Sequence, residues 1–186
     1  DLKEYAYCEE PESGKIRIIF TGRMVREKGV CDLIEAAEQL KPDFDGKIEF
    51  ILCGRLTPNK TGVTAEYLSS HCDGKYLQWL KSSHIMAFPS YYREGVPKSL
   101  IEASAIGRPI VTCNSTGCKD VVTDGVNGYL VEPRNPVMLA EKLRELIENQ
   151  SLRIRMGKAA REKAEKEFSI DTVVKTHIDI YNTLIS

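Results

Sequence analysis

Short apolar runs alternate along this chain with stretches of helical periodicity, and most of the runs stop at a glycine or a proline. Residues 16–20 form one such run, closed by Thr21-Gly22; residues 48–53 form a second, stopped by Gly54. Residues 85–88 end at Pro89-Ser90, residues 109–113 and 128–131 read as two more strands, and 76–80 is a further apolar run of strand length. Between the first two, Leu33, Ile34, Ala37 and Leu40 keep the helical period, and Pro42 is expected to end it. Pro97 opens a helix to about Ile106, because a first-turn proline has no hydrogen bond to lose, and Gly107 follows where helices turn left-handed. Three helices close the chain: one built on Val137, Leu139, Leu143, Leu146 and Ile147, one capped by Ser151 and charged as far as Phe168, and one starting near Asp171. This alternation predicts an α/β fold, a Rossmann-like parallel sheet with helices on both faces. Ligands of such sheets bind outside the carboxyl ends of the strands, so the chemistry is expected in loops 22–29, 54–62, 89–97 and 114–119.

Composition narrows the partner. Lysine and arginine total 26 against 27 acidic residues, a net charge of −1, over 186 residues that are 42% hydrophobic. A nucleic-acid partner would leave a basic excess, which is missing. No apolar run approaches the roughly 20 residues of a membrane span, and no basic-then-apolar signal segment opens the sequence. Six cysteines at 8, 31, 53, 72, 113 and 118 lack the doubled pair spacing of a zinc site, so no metal is expected. They read as a reduced set, with Cys31 and Cys53 as small buried hydrophobes, in a cytoplasmic chain. Asn59-Lys60-Thr61 and Asn114-Ser115-Thr116 then read as loop chemistry rather than glycosylation sites.

Two loops carry the strongest signals. In Gly22-Arg23-Met24-Val25-Arg26-Glu27-Lys28-Gly29, Gly22 lets a ligand approach the strand end, and Gly29 stands where the next helix starts. Free amides and the positive end of the helix dipole attract phosphate there, and Arg23 with Lys28 would surround a diphosphate. Taken alone, the loop is equally a solvated charged turn in which Arg26, Glu27 and Lys28 pair among themselves. In Pro89-Ser90-Tyr91-Tyr92-Arg93-Glu94-Gly95-Val96-Pro97-Lys98, Glu94 precedes a helix and Glu102 lies two turns inside it. A carboxylate accepts two hydrogen bonds at once, which suits a vicinal diol, while the amides of Gly95, Val96 and Lys98 face outward at the helix start. The plainer reading of Glu102 is an i,i+4 surface pair with Lys98.

Five motifs occur in order: Gly-Arg-x4-Lys-Gly; Pro-Ser-x3-Glu-Gly-x-Pro-x4-Glu-Ala; Gly-Arg-Pro-Ile-Val; Gly-x2-Asp; and Asn-Gly-Tyr-Leu-Val. Over residues 16–186 the chain resembles the C-terminal, nucleotide-sugar half of GT-B glycosyltransferases of the retaining family-four kind. Glu94 and Glu102, with seven residues between them, match that family's paired-glutamate signature. Tyr91-Tyr92-Arg93 resembles the bacterial subset that builds cell-surface polysaccharide or glycolipid.

The resemblance implies a role for each matched residue. Arg23 and Lys28 would bind the donor diphosphate and stabilise the leaving nucleotide; Glu94 and the amides of Gly95, Val96 and Lys98 would hold the donor sugar; these make Arg23, Lys28 and Glu94 the catalytic candidates. Glu102 would bind the ribose hydroxyls, Gly22 would let the donor approach, and Gly117 matches a glycine near the donor. It further implies transfer from a nucleotide-diphosphate sugar, a UDP-sugar first, with retention and without metal or other cofactor. Residues 1–14 would be the tail of an interdomain linker and 15–186 the donor-binding domain. An N-terminal acceptor domain of the same full-length protein would be the partner, so this chain alone is expected to be inactive. The full-length protein would be cytoplasmic or peripheral at the inner membrane face. Residues 76–80 match a family strand, and the turn and short acidic helix that follow it are expected to be cut short at 80–81. Two other readings stay open: a non-catalytic GT-B-like module that binds a nucleotide sugar, and a sugar-nucleotide epimerase of the same architecture.

Overall fold

The computed structural model describes residues 1–12, 14–54, 75–93 and 95–185. Five strands, β1 (Ile16–Thr21), β2 (Ile48–Cys53), β3 (Ile85–Phe88), β4 (Ile110–Cys113) and β5 (Gly128–Val131), form one sheet in the order β2-β1-β3-β4-β5. Every pairing is parallel, with Ile19 beside both Ile51 and Met86, and Ile110 beside Gly128. Strands of a sheet covered on both faces have no wet side, and Ile18, Ile19 and Phe20 of β1, like all of β3, are accordingly buried.

The chain leaves β1 toward β2 in one direction and β3 toward β4 in the other. Right-handed crossovers therefore put their helices on opposite faces. Helix α1 (Val30–Phe44) packs with α5 (Pro136–Glu148) on one face, and α3 (Lys98–Ile106) with α6 (Gln150–Glu167) on the other. The remaining helices are α2 (Tyr76–Ser82), the four-residue α4 (Cys118–Val121) and the closing α7 (Ile170–Ile185).

Tertiary packing moves several boundaries. Helix α1 runs through Pro42 instead of stopping there, because Phe44 completes its buried stripe of Val30, Leu33, Ala36 and Leu40. The Arg144 guanidinium lies over the Phe44 ring and pairs with Asp43 at 2.7 Å, so α5 holds that last turn in place. In the last turn a proline removes a single helical bond, the one to the Glu38 carbonyl. Asn149, not Ser151, caps α6 by accepting the Leu152 N–H, and Val137 is exposed rather than part of the core.

Residues 76–80 are helical. Tyr76, Leu77 and Leu80 lie one turn apart on one face, and the Ser82 and Ser83 hydroxyls donate to the Trp79 carbonyl to finish the turn. Helix α2 leads directly into β3, which corrects the match of residues 76–80 to a strand. An apolar run this short suits either element, and periodicity alone does not separate them. Cys53 is disulfide-bonded, which corrects its reading as a reduced thiol, while Cys8, Cys31, Cys113 and Cys118 are not in disulfides.

Three arginines bind the N-terminal segment to the fold. Buried Arg108 donates to the Cys8 and Glu9 carbonyls, to the Cys8 sulfur and to the Lys81 carbonyl. Arg153 grips both oxygens of Glu10 and also donates to the carbonyls of Leu146 and Ile147. Arg161 donates to the carbonyls of Tyr5 and Ala105. Among the described residues no helix is long and apolar enough to cross a membrane.

His84, at the entry to β3, is buried and held in its neutral form. Its Nδ1 accepts the Arg17 N–H at 3.0 Å and its Nε2 faces the Pro11 carbonyl at 3.1 Å. Burial, more than any charge nearby, holds its pKa below the ordinary value. The folded chain therefore resists a proton that the unfolded chain accepts. The stability this confers is present above the unfolded value of about 6.5 and is lost as pH falls below it toward the lower folded value. The thermal midpoint is expected to fall between about pH 7 and about pH 5.5, and His84→Gln to flatten that slope. Parallel melts of the two proteins across this range check it; equal slopes would remove His84 as the cause.

Candidate functional site

The strand order reverses direction between β1 and β3, which makes their carboxyl ends the crevice where ligands of this architecture bind. Both loops that leave these ends are rich in contacts with each other. After β1, Gly22 has φ +150° and donates its N–H to the Cys53 carbonyl at 2.9 Å. A 3-10 turn at Arg26–Lys28 then ends on Gly29, whose left-handed φ of +74° starts α1. A Cβ on Gly29 would lie 2.0 Å from the Pro89 carbonyl oxygen, so the β1 loop presses directly on the backbone of the β3 loop.

Hydrogen bonds fasten the same junction. The Glu27 carbonyl accepts the N–H groups of both Tyr91 and Tyr92 at 3.1 Å. The Thr112 hydroxyl donates to the Phe88 carbonyl and the Ser115 hydroxyl to that of Ser90, which ties in the loop after β4. Lys28 is only 8% exposed. Its ammonium sits 5.6 Å from the Phe88 ring centre and 5.4 Å from that of Tyr92, a cation held between two aromatic faces. Arg23, just past the end of β1, is exposed. One cation at this edge is thus fixed and the other is free to reorient.

The helix after β3 supplies the remaining groups. Pro97 stands at the N-cap of α3, and the first bond into the helix is made by the Leu100 N–H to the Pro97 carbonyl. The Lys98 and Ser99 amides therefore precede the helical ladder. Gly95 and Val96 are exposed, and a Cβ on Gly95 would meet open space. Glu94 lies outside the described residues, as do Arg55, His71 and Cys72. Lys98 pairs with Glu102 at 3.5 Å, but this is no surface pair: the Lys98 side chain is 86% exposed and the Glu102 side chain only 10%. The Glu102 carboxylate lies beside the phenols of Tyr5 and Tyr76 rather than beside Lys28. Burial and this carboxylate push the Tyr5 phenol up to about 12, and they raise that of Tyr76 further. Gly117, at φ +84°, turns the chain into α4, where Cys118 is buried.

The sequence from Glu9 to Lys163, residues 9–163, matches the family described as glycosyl transferases group 1. The chain belongs to that family. Among its glycosyl transferase relatives, N,N'-diacetylbacillosaminyl-diphospho-undecaprenol alpha-1,3-N-acetylgalactosaminyltransferase of Campylobacter jejuni is 28% identical over 174 residues, covering 90% of this chain and 45% of the relative. The capsular polysaccharide biosynthesis glycosyltransferase CapM of Staphylococcus aureus is 27% identical over 176 residues, covering 89% and 46%. The solved structure of Anabaena Alr3699/HepE in complex with UDP is similar with a TM-score of 0.81 at 18% identity, covering 98% of this chain and 55% of that one. The fold is thus that of the Rossmann-like half of a GT-B glycosyltransferase. This group 1 chain spans about half the length of the curated relatives it matches.

A second polar cluster at the same edge of the glycosyl transferase chain was not anticipated. Arg26, Cys31, Asp32, Glu35, Tyr91, Arg134 and Pro136 line a cavity of about 350 Å³. Arg134 has the left-handed φ of +59°, and its guanidinium lies 4.9 Å from the Tyr91 ring centre. Burial, then Glu35, raises the Asp32 carboxyl above its usual range against the opposing pull of Arg134 and Arg26. Arg134-Asn135-Pro136 announces a turn, but no local pattern pairs it with Tyr91, 43 residues earlier.

Proposed function

We propose that this chain is the donor-binding half of a retaining, metal-independent glycosyltransferase of the family-four kind that uses a UDP-sugar. The observation that carries the reading is Lys28, an almost buried ammonium held at the β1–β3 switch point between Phe88 and Tyr92, with Arg23 exposed on the same loop. A fixed cation desolvated at a ligand crevice is suited to charge that appears during reaction, since it needs no reorganisation when the charge arrives. As the bond from the anomeric carbon to the UDP oxygen lengthens, negative charge grows on the diphosphate. Lys28 and Arg23 would stabilise it there, and no metal would be required for that task.

The other roles follow the loops. Gly22 would let the diphosphate approach the end of β1. Glu94 and the outward amides of Gly95, Val96 and Lys98 would hold the sugar, Glu102 the ribose, and Gly117 would flank the donor from the loop after β4. The name of the C. jejuni relative and that of CapM support a role in glycolipid or polysaccharide assembly, and the Anabaena neighbour's UDP supports a uridine donor. The acceptor would bind to an N-terminal domain of the full-length protein. Helix α7 offers it a surface, because Val173, Val174, Ile178, Tyr181 and Leu184 are all exposed.

Calorimetric titration with UDP tests the reading. The chain is expected to bind UDP, and the double variant Arg23→Ala, Lys28→Ala to lose that binding while retaining its far-ultraviolet circular dichroism. Undiminished binding by a folded double variant sinks the assignment. The chain alone is expected to show no sugar transfer.

A further inference from the structure

Arg134 occupies a strained position. Among the described residues it is the one non-glycine with a left-handed backbone, at φ +59°, in the loop between β5 and α5. Glycine or asparagine takes this conformation at little cost, whereas a long side chain does not, and such strain persists where the surrounding structure has a use for it. The turn delivers an exposed guanidinium to 4.9 Å from the Tyr91 ring centre. Asp32, in the first turn of α1, faces Arg134 and Arg26 across the cavity that all of them line with Tyr91. The loops after β1, β3 and β5 thus meet at one point, although β4 separates β3 from β5 in the sheet.

Tyr91 connects this brace to the ligand crevice. Its N–H and that of Tyr92 both donate to the Glu27 carbonyl at 3.1 Å, and Glu27 directly precedes Lys28. The Tyr92 ring lies 5.4 Å from the Lys28 ammonium and forms one wall of that cation's site, yet the residue is 47% exposed. Little packing holds such a wall, so its place depends on the backbone that carries it. We propose that Arg134 is a positioning residue for binding of the nucleotide diphosphate: by stacking on Tyr91 it fixes the start of the β3 loop, and with it the Tyr92 ring beside Lys28. It acts through Tyr91 and needs no contact of its own with the donor. The inference rests on the placement of the diphosphate at Lys28 in the proposed function, and adds the residue that keeps the wall of that site in register.

Arg134→Asn removes the guanidinium and keeps a residue suited to the left-handed turn, so it is expected to melt within about 3 °C of the wild type. Its dissociation constant for UDP, by calorimetry, is expected to rise about two- to fivefold, the worth of one exposed contact between a cation and an aromatic face. Arg134→Lys keeps a cation over the ring and is expected to recover part of that loss. Tyr91→Leu takes the aromatic face away, and in that background Arg134→Asn is expected to change UDP affinity no further. Wild-type UDP affinity in Arg134→Asn overturns the proposal and leaves the functional reading standing. A loss as large in the Tyr91→Leu background as in the wild type also overturns it, since Arg134 would then attract the diphosphate by its charge alone. Affinity in Arg134→Lys no better than in Arg134→Asn rejects the stacking role. A larger fall in the Arg134→Asn midpoint rejects it too, because the contact would then serve the stability of the whole fold. A wild-type chain that takes up no UDP at all overturns the functional reading, and this inference with it.

Discussion

Gly29→Ala is expected to cost this chain on the order of 3–5 kcal/mol of stability, among the largest effects of any single methyl group. Two penalties add. The left-handed φ of +74° is open to glycine but disfavours alanine by roughly 1 kcal/mol or more. Lack of space costs more: the new Cβ would sit 2.0 Å from the Pro89 carbonyl oxygen and 2.6 Å from its carbon, and the atoms in its way are backbone. Relief requires the β1 and β3 loops to separate, which breaks the bonds from the Tyr91 and Tyr92 amides to the Glu27 carbonyl. A thermal melt should show the midpoint lowered by roughly 10 °C, the shift such a loss produces in a chain of this size. Gly95→Ala is the control, since it has open space and no left-handed φ, and is expected to melt like the wild type. A Gly29→Ala midpoint equal to that of the control would refute the close approach of the two loops.

Glu10→Ala is expected to destabilise by about 3 kcal/mol, the usual cost of orphaning one partner of a buried ion pair. Arg153 is 4% exposed and Glu10 12% at the side chain, with nitrogen and oxygen 2.7 Å apart. Both Glu10 oxygens are held by the guanidinium, while its remaining donor reaches two carbonyls at the end of α5. Removing the carboxylate leaves a desolvated charge with no counter-charge. Removing both groups does not, so Glu10→Ala with Arg153→Met should recover part of the loss, and the double-mutant cycle measures the coupling. Because the pair is shielded from solvent, added salt should leave the effect largely unchanged. Urea unfolding of the four proteins provides the numbers; additive losses would show the two residues to act independently.

The fold was legible where the pattern was local and repeated. Short apolar runs, three of them closed by a glycine or proline stop, matched the five described strands of the sheet to within a residue or so, and Gly107 marked the end of α3. Differences arose where packing outweighed propensity. Pro42 did not end α1, because Phe44 had a buried site waiting and Arg144 to cover it. Residues 76–80 looked like strand as readily as helix, and only their packing against α3 distinguished the two. At the candidate site, the motif order pointed to the loops that the topology brings to one edge. It did not reveal that Glu102 is buried against Tyr5, which lies 97 residues earlier, or that Arg134 stacks on Tyr91.

From its sequence alone this chain is a parallel α/β domain of the group 1 glycosyl transferase kind, because alternation, turn residues and ordered motifs are properties that short segments carry on their own. The tertiary structure alone decided which charges are buried and what each one faces. Lys28 became a fixed cation only when Phe88 and Tyr92 closed around it, and Glu102 an almost buried carboxylate only when α3 packed into the fold. The physical reason is desolvation: how strongly a charge or hydroxyl interacts depends on the water removed from it, and that water is displaced by residues far away in sequence.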